Sequence, residues 1–311
     1  MNPNNIARLN WSSLKHLAIS PRMLQWRLTH PLADTPALAL GRAIHCLILE
    51  PQEFDARWTV AGPCGAAKKS GEVCGNQGSL YSCGVWYCKV KNHAPTSAGD
   101  LPDGIESITG EQRETAKICA EQIKAHRVAS ETLRGGRPEE ALEWQTETTA
   151  CKGRLDFLRP DYVADLKTTC ETTPREFTGQ AARMQYHGQL AWYHDGAIAA
   201  GRLPADAKLP RIVTVETVEP YDVAVYQFTP EALDAGRSVY RTLLARYLEC
   251  VACDYWPGHS PDLRTLDLPH WAIPRAPIPR PTDAETLIED AEREAFGDWA
   301  AEQLIKATED K

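Results

Sequence analysis

Residues 140–168 read as two or three antiparallel strands rich in Thr, Trp, Leu and Val. Within them, Lys152-Gly153-Arg154-Leu155-Asp156 is followed by Val163-Ala164-Asp165-Leu166-Lys167-Thr168-Thr169, which sets two carboxylates and a lysine on one hairpin. A strand alternates its side chains, so Asp165 and Lys167 share a face while Leu166 turns the other way, into a core. Mg2+ takes hard oxygen ligands in octahedral geometry and keeps several waters. Asp156, near the end of one strand, and Asp165 on its partner can converge on one such ion, with the Leu166 carbonyl close enough to add a backbone ligand. Lys167 then points into the same space, where an ammonium orients an attacking water and offsets charge building on a phosphate. These residues are the minimum equipment for metal-assisted phosphodiester hydrolysis.

Helical spacing surrounds the hairpin. Trp11-Ser12-Ser13 followed by Leu14, Leu17, Met23, Leu24 and Leu28 predicts a capped helix over 11–28, interrupted or kinked at Pro21. A second helix is expected over 36–50, and a third from Glu111 to Leu133, ended by Gly135-Gly136-Arg137-Pro138. After the hairpin come expected helices at 174–182 and 184–200, strands at 211–218 and 222–228, and a long helix at 230–252. With 311 residues and 43% apolar content, this alternation suffices for one large α/β domain. Seven prolines between 257 and 281 predict an extended arm. Beyond it, Leu287, Ile288, Ala291, Ala295, Trp299 and Leu304 form the apolar stripe of an expected helical tail.

The net charge of −8 divides unevenly, because residues 281–311 hold ten Asp/Glu against Arg293, Lys306 and Lys311 and alone carry −7. The other 280 residues are near −1, which leaves room for a basic groove. No apolar run approaches membrane-spanning length, and Met1-Asn2-Pro3-Asn4-Asn5 lacks the regions of a signal peptide, so a cytoplasmic protein is expected. In that compartment ten cysteines point to metal binding or core positions rather than disulfides. Cys46, Cys119, Cys151, Cys170 and either Cys250 or Cys253 show no ligand pattern and are read as core.

Five other candidates fall between 60 and 100, a stretch rich in Gly, Cys, Lys and Ser without periodicity that reads as an inserted module. Cys64, Cys74, Cys83, Cys88 and His93 compete for the four positions of a tetrahedral Zn2+ site, which would fold a segment too small to hold a core. Cys64, Cys74, Cys88 and His93 are the expected set, with Cys83 as the alternative. Lys68, Lys69, Lys89 and Lys91 make the insertion basic, and Trp86 and Tyr87 add stacking surfaces for DNA.

The hairpin resembles the PD-(D/E)XK nuclease superfamily, and more closely its RecB-like and RecE-like phage exonucleases of the exodeoxyribonuclease VIII type. Lys152 to Asp156 matches their K-G-R-L-D strand and Asp165 to Thr169 their D-L-K-T-T strand. Pro160-Asp161 supplies a literal P-D, but only three residues separate Asp161 from Asp165, so Asp161 is read as a turn residue. Gly41 to Pro51 resembles the G-x-x-x-H-x-x-x-x-E-P helix of these enzymes, which implies that His45 helps to bind the metal. Gln189 and Tyr193, neighbours on one helical face, match a Q-x-x-x-Y pair that lines the site. The Ser12 to Pro21 phrase S-S-L-K-x-L-x-x-S-P and the closing Leu268-Pro269-His270-Trp271 extend the resemblance over residues 11–58 and 110–272. The group commonly has an acidic residue before the metal strands, for which Glu140, Glu143 and Glu147 are candidates.

The resemblance implies a restriction-endonuclease-like core, an α/β (α+β) fold with a central mixed sheet flanked by helices. The expected organisation is a nuclease domain over 1–59 and 101–272, the Cys-rich insertion at 60–100, and the arm and acidic tail at 273–311. The implied activity is that of an exonuclease using Mg2+ (or Mn2+) on the ends of linear double-stranded DNA. It would act 5′ to 3′ and leave 3′ single strands for a single-strand annealing protein in recombination. A homo-oligomer is implied as well. Two rivals share these residues: a structure-specific or single-strand-specific endonuclease with the same core, and a non-catalytic zinc-bearing DNA-binding recombination protein. The intact pair of carboxylates with Lys167 argues against the second.

Overall fold

The computed structural model describes residues 6–76, 78–82, 85–90, 93–95, 101–146, 148–260, 262–269 and 272. Asn10, rather than Ser12 or Ser13, starts the first helix: its side chain accepts the Ser13 amide at 2.8 Å, and α1 (Trp11–Leu14) runs into a 3-10 turn at Lys15–Ala18. Ser20 accepts the Met23 amide at 3.1 Å, and Pro21 opens α2 (Pro21–Thr29). The expected kink is therefore a break between two helices, because a Ser-Pro pair starts a helix more readily than it continues one. Thr35 caps α3 (Pro36–Leu49), followed by α4 (Phe54–Arg57) and β1 (Trp58–Val60). The hairpin β2 (Leu80–Ser82) and β3 (Val85–Tyr87) comes next, then β4 (Glu106–Ile108). Two helices, α5 (Gly110–Ala125) and α6 (Arg127–Thr132), replace the single one expected: His126 is extended and its Nδ1 accepts the Ala129 amide at 3.1 Å. An imidazole cap of this kind leaves no periodic signature.

The remaining elements are β5 (Arg137–Gln145), β6 (Ala150–Leu158), β7 (Val163–Thr169), α7 (Pro174–Arg183), α8 (Tyr186–Ala199), β8 (Arg211–Glu216), β9 (Val223–Gln227) and α9 (Pro230–Cys253). Strands β5 to β9 lie side by side in chain order. Only β7 and β8 are parallel, and α7 and α8 form the crossover that a parallel pair needs. The sheet is thus mixed, as expected of a PD-(D/E)XK core.

Both faces are covered. On one, Leu142, Leu155, Leu158, Val163 and Ile212 pack with Trp11 and Leu14 of α1, Leu24 of α2, Leu190 and Trp192 of α8 and Leu243 of α9. On the other, Phe157, Ala164, Leu166, Val213 and Val215 pack with Ile44, Ala116, Cys119, Ile123 and Ala129 from α3, α5 and α6. Each buried Leu or Ile here stabilises the fold by about 2 kcal/mol relative to exposure. Cys46, Cys119, Cys151 and Cys250 are core residues, whereas Cys170, one residue past the end of β7, and Cys253, the last residue of α9, are exposed.

β1 and β4 pair in parallel, Trp58 with Glu106 and Val60 with Ile108, and so clasp the two ends of residues 61–105. Trp58 and Ile108 pack with Phe54 and with Ala39, Ala43 and Cys46 on the outer face of α3. No helix among the described residues is long and apolar enough to cross a membrane. The chain divides into units Met1–Pro261 and Asp262–Lys311. In the second, the Ala272 amide donates to the Pro269 carbonyl at 2.8 Å. Pro261, His270, Trp271, the part of the proline arm from 273 onward and the acidic tail lie outside the described residues.

Candidate active site

Strands β6 and β7 pair only at Phe157–Ala164 and Leu158–Val163 and then part. Beyond that point the Leu166 amide donates to Asp156 Oδ2 at 2.8 Å, so a side chain takes the place of a ladder carbonyl. Asp165, 1% exposed, forms an ion pair with Lys167, Nζ to Oδ2 2.5 Å. Its Oδ1 is buried without a hydrogen-bond partner among the described residues. The Lys167 ammonium also lies 5.0 Å from the centre of the Tyr186 ring, the contact of a cation with an aromatic face. Opposite, α3 lies close against β7, with a Cβ at Gly41 standing 3.4 Å from Thr168 Oγ1. This places His45 Nδ1 3.7 Å from Asp156 Oδ2.

A third acid joins them. The β5–β6 register runs through Pro138–Phe157 and Glu140–Leu155, which sets Glu139 across from Asp156. Glu139 has φ 49°, a left-handed conformation uncommon outside glycine and often found at functional positions. One ligand atom from each of His45, Glu139 and Asp156 falls within 4.8 Å of the others. Arg154 Nε braces Glu139 at 2.6 Å. Of the acids named from sequence, Glu140 faces Arg137 and Arg202, Glu143 is exposed beside Arg8, and Glu147 lies outside the described residues.

The charges are poised for a cation. Burial raises the Asp165 carboxyl to about 6; Lys167 pulls it down and Asp156 pushes it up. Asp156 is raised, first by burial, against the pull of Lys167. Glu139 is raised by burial and by the Asp156 charge. Burial and the Lys167 charge push His45 down to about 4, with Asp165 and the Leu166 backbone opposing, so the imidazole is neutral at pH 7 with a lone pair free. Burial lowers Lys167, but Asp165 and Asp156 together raise it well above its ordinary value.

Gln189 and Tyr193 meet the site from α8. The Gln189 side chain hydrogen-bonds Tyr193, whose phenol burial raises to about 12 and which feels Asp165, Asp156 and Lys167. Gly153 lets β6 approach this ring closely: a Cβ on it would stand 3.0 Å from Tyr193. Asp161 lies in the β6–β7 turn, held by Lys208 at 2.7 Å. A cleft of about 430 Å³ opens over His45, Glu139 and Asp156, with Arg42, Arg57 and Arg154 in its walls. Each arginine is paired: Arg42 with Asp34 and Glu106, Arg57 with Glu50, Arg154 with Glu139. Lys15 also feels the Lys167 charge, which together with burial lowers it.

In the insertion, Cys64, Cys74, Cys88 and His93 bring their ligand atoms within 4.8 Å of one another. His93 Nδ1 is 3.2 Å from Cys88 Sγ and 3.8 Å from Cys64 Sγ, and Cys74 and Cys88 Sγ are 3.9 Å apart. Tetrahedral ligands about 2.3 Å from a zinc ion stand about 3.8 Å from each other, so the set already has the right size. Burial favours the neutral Cys64 thiol, yet the Cys88 and Ala66 amides and the Cys88 and His93 side chains bring it down to about 6. Trp86 is less available for stacking than expected, because it packs over Gly62 and Gly78; the exposed ring is Tyr81. Cys83 lies outside the described residues.

The model of a PDDEXK-like domain of unknown function (DUF3799) matches residues 10–268. Among solved structures, a candidate exonuclease from Eubacterium rectale shares the fold at TM-score 0.54 and 13% identity, over 85% of this chain and 91% of that one. A phage-related exonuclease from Haemophilus somnus 129PT aligns over 47% of this chain and 74% of its own, at 13% identity and TM-score 0.29. Curated protein sequences give no match.

Proposed function

The chain belongs to the family of the PDDEXK-like domain of unknown function (DUF3799), which supports a nuclease, and with the sequence resemblance beside it we propose a divalent-metal-dependent enzyme that degrades linear double-stranded DNA from its ends. The observation that carries the reading is the meeting of His45, Glu139 and Asp156 within 4.8 Å, beside the buried Asp165–Lys167 pair. The donor set fits Mg2+ (or Mn2+): carboxylates crowded together, a neutral imidazole, and a buried Asp165 oxygen without a partner. Asp156, Asp165, His45 and the Leu166 carbonyl would hold the ion, with Glu139 added to the set expected from sequence. When bound, a divalent ion polarises a phosphoryl oxygen and lowers the pKa of a bound water.

The protein's own groups do the rest. Lys167 keeps its proton, held by Asp165 over the Tyr186 ring, and its ammonium would donate to the attacking water or to a phosphate oxygen. Tyr193 remains a neutral phenol and is oriented by Gln189. Burial of Asp165 and Lys167 keeps bulk water from screening them. In the insertion, Cys64, Cys74, Cys88 and His93 would hold a structural Zn2+ that closes a segment lacking a core of its own. Action from 5′ to 3′, the annealing partner and a homo-oligomeric state rest on the sequence resemblance.

With Mg2+, purified protein is expected to shorten linear plasmid and leave the covalently closed circle intact, and excess chelator to stop the reaction. Equal loss of both forms would replace the exonuclease reading with an endonuclease. Glu139→Gln is expected to lower activity roughly 10- to 100-fold and to raise the Mg2+ concentration needed, as for a residue shaping a metal site. Glu140→Gln, facing Arg202, should change the rate less than twofold; a reversed order of the two would remove Glu139 from the site.

A further inference from the structure

Both ends of the cysteine module are rooted in the cleft wall. Arg57, which lines the cleft, directly precedes β1, and Glu106 of β4 accepts from Arg42 Nε at 2.7 Å on the same wall. The base of the module therefore adjoins the cleft wall at Arg42 and Arg57. The chain as a whole carries −8, yet residues 61–95 contain Lys68, Lys69, Lys89 and Lys91 against Glu72 alone, a net +3. Three thiolates and a dication subtract one charge, so a metal-loaded module keeps +2.

The lysines are presented by structure that the cysteines hold. Lys68 and Lys69 sit at the tip of a tight turn, in which the Gly71 amide donates to the Lys68 carbonyl at 2.9 Å and the Lys68 amide to the Glu72 carbonyl at 2.7 Å. Gly71, at φ 87°, permits that turn. Its base is closed by the Cys74 amide on the Ala66 carbonyl at 2.8 Å, between two of the clustered cysteines. Lys89 directly follows Cys88. All three lysines are exposed, and none is held in an ion pair among the described residues, whereas every arginine of the cleft is. Trp86 packs over Gly62 and Gly78, which leaves one exposed ring, Tyr81, against three exposed lysines among the described residues of the module. Phosphate contact to a duplex fits better than single-strand capture.

We propose that the metal-loaded module is a clamp for double-stranded DNA, with Lys68, Lys69 and Lys89 contacting backbone phosphates next to the cleft. The inference rests on the nuclease reading above. Its test is the triple variant Lys68→Gln, Lys69→Gln, Lys89→Gln of the full chain. Binding is read by anisotropy of a labelled 30-base-pair duplex over a salt series without added Mg2+, and cleavage of the same duplex is read with Mg2+. Affinity is expected to fall about tenfold, and the slope of log affinity against log salt to shrink by about 2 to 3, close to one for each phosphate no longer neutralised. KM should rise while kcat stays within twofold, and zinc content should equal that of the unsubstituted protein. Unchanged affinity and slope overturn the clamp, as does an equal loss on a single strand of the same length. Failure of the unsubstituted protein to cleave any DNA would instead overturn the nuclease reading, and the two failures appear in different measurements.

Discussion

Asp165→Asn is expected to lower Mg2+-dependent DNA hydrolysis by three orders of magnitude or more, about 4 kcal/mol in transition-state stabilisation, with the fold retained. One oxygen of Asp165 is bound to Lys167 and the other is buried without a partner. An amide keeps the volume but removes both the anionic ligand and the main support of the buried ammonium. Asp156→Asn should be equally inactive and, without metal, more stable. Burial raises the carboxyls of Glu139, Asp156 and Asp165, and the Asp156 charge raises Glu139 and Asp165 further, so these three groups bind more protons in the folded state than in the unfolded one. The contribution of these carboxyls to metal-free stability therefore falls as pH rises from near 4 through about 6, the value of Asp165, while His45, lowered to about 4, contributes in the opposite direction over the same window. Neutralising one acid removes part of that cost, which a rise in Tm of a few degrees would register. Calorimetry at pH 7 with and without Mg2+, beside an assay on linear duplex, gives both readings. Retention of a tenth of the activity in Asp165→Asn would sink the assignment.

One zinc ion per chain is the second large expectation, and its removal should unfold residues 61–95 while sparing the sheet. Zinc binding to small modules contributes about 10 kcal/mol or more, and the cluster Cys64, Cys74 and Cys88 with partly buried Ala66 and Tyr87 offers no comparable apolar core. Cys64→Ser and Cys88→Ser should lose zinc by elemental analysis and open the segment to protease, whereas Cys83→Ser should keep it. Full zinc in Cys64→Ser would refute the site, and loss in Cys83→Ser would put that thiol in place of His93. Because β1 and β4 pair outside the cluster, melting of the main domain should shift little.

What the sequence made legible follows from where each signal is stored. Asp156, Asp165 and Lys167 were readable because strand alternation fixes faces within a few residues. His45, Gln189 and Tyr193 depended on the family resemblance, since a lone histidine or a Gln-x-x-x-Tyr pair has no intrinsic meaning. The four residues that cluster in the insertion are those chosen from chemistry and spacing, although the spacing is looser than a Cys-x-x-Cys pair. Glu139 escaped because its placement depends on cross-strand register and a left-handed backbone, which neighbouring acids at 140 and 143 conceal. The helix boundaries at Ser20-Pro21 and His126 escaped for a related reason: capping side chains compete with periodicity, and periodicity was the louder signal.

Helix α3 is wedged among three clients. Ile44 and Leu49 face the sheet core, Ala39, Ala43 and Cys46 face Trp58 and Ile108 beneath the module, and Gly41, Arg42 and His45 form the cleft. Such a helix has no neutral face on which mutations can accumulate unseen. A change selected to refit the module would shift the histidine, and one selected for the metal site would loosen the module's footing. Insertion and active site thus share one support, and engineering either one alone should require compensating changes along these fourteen residues.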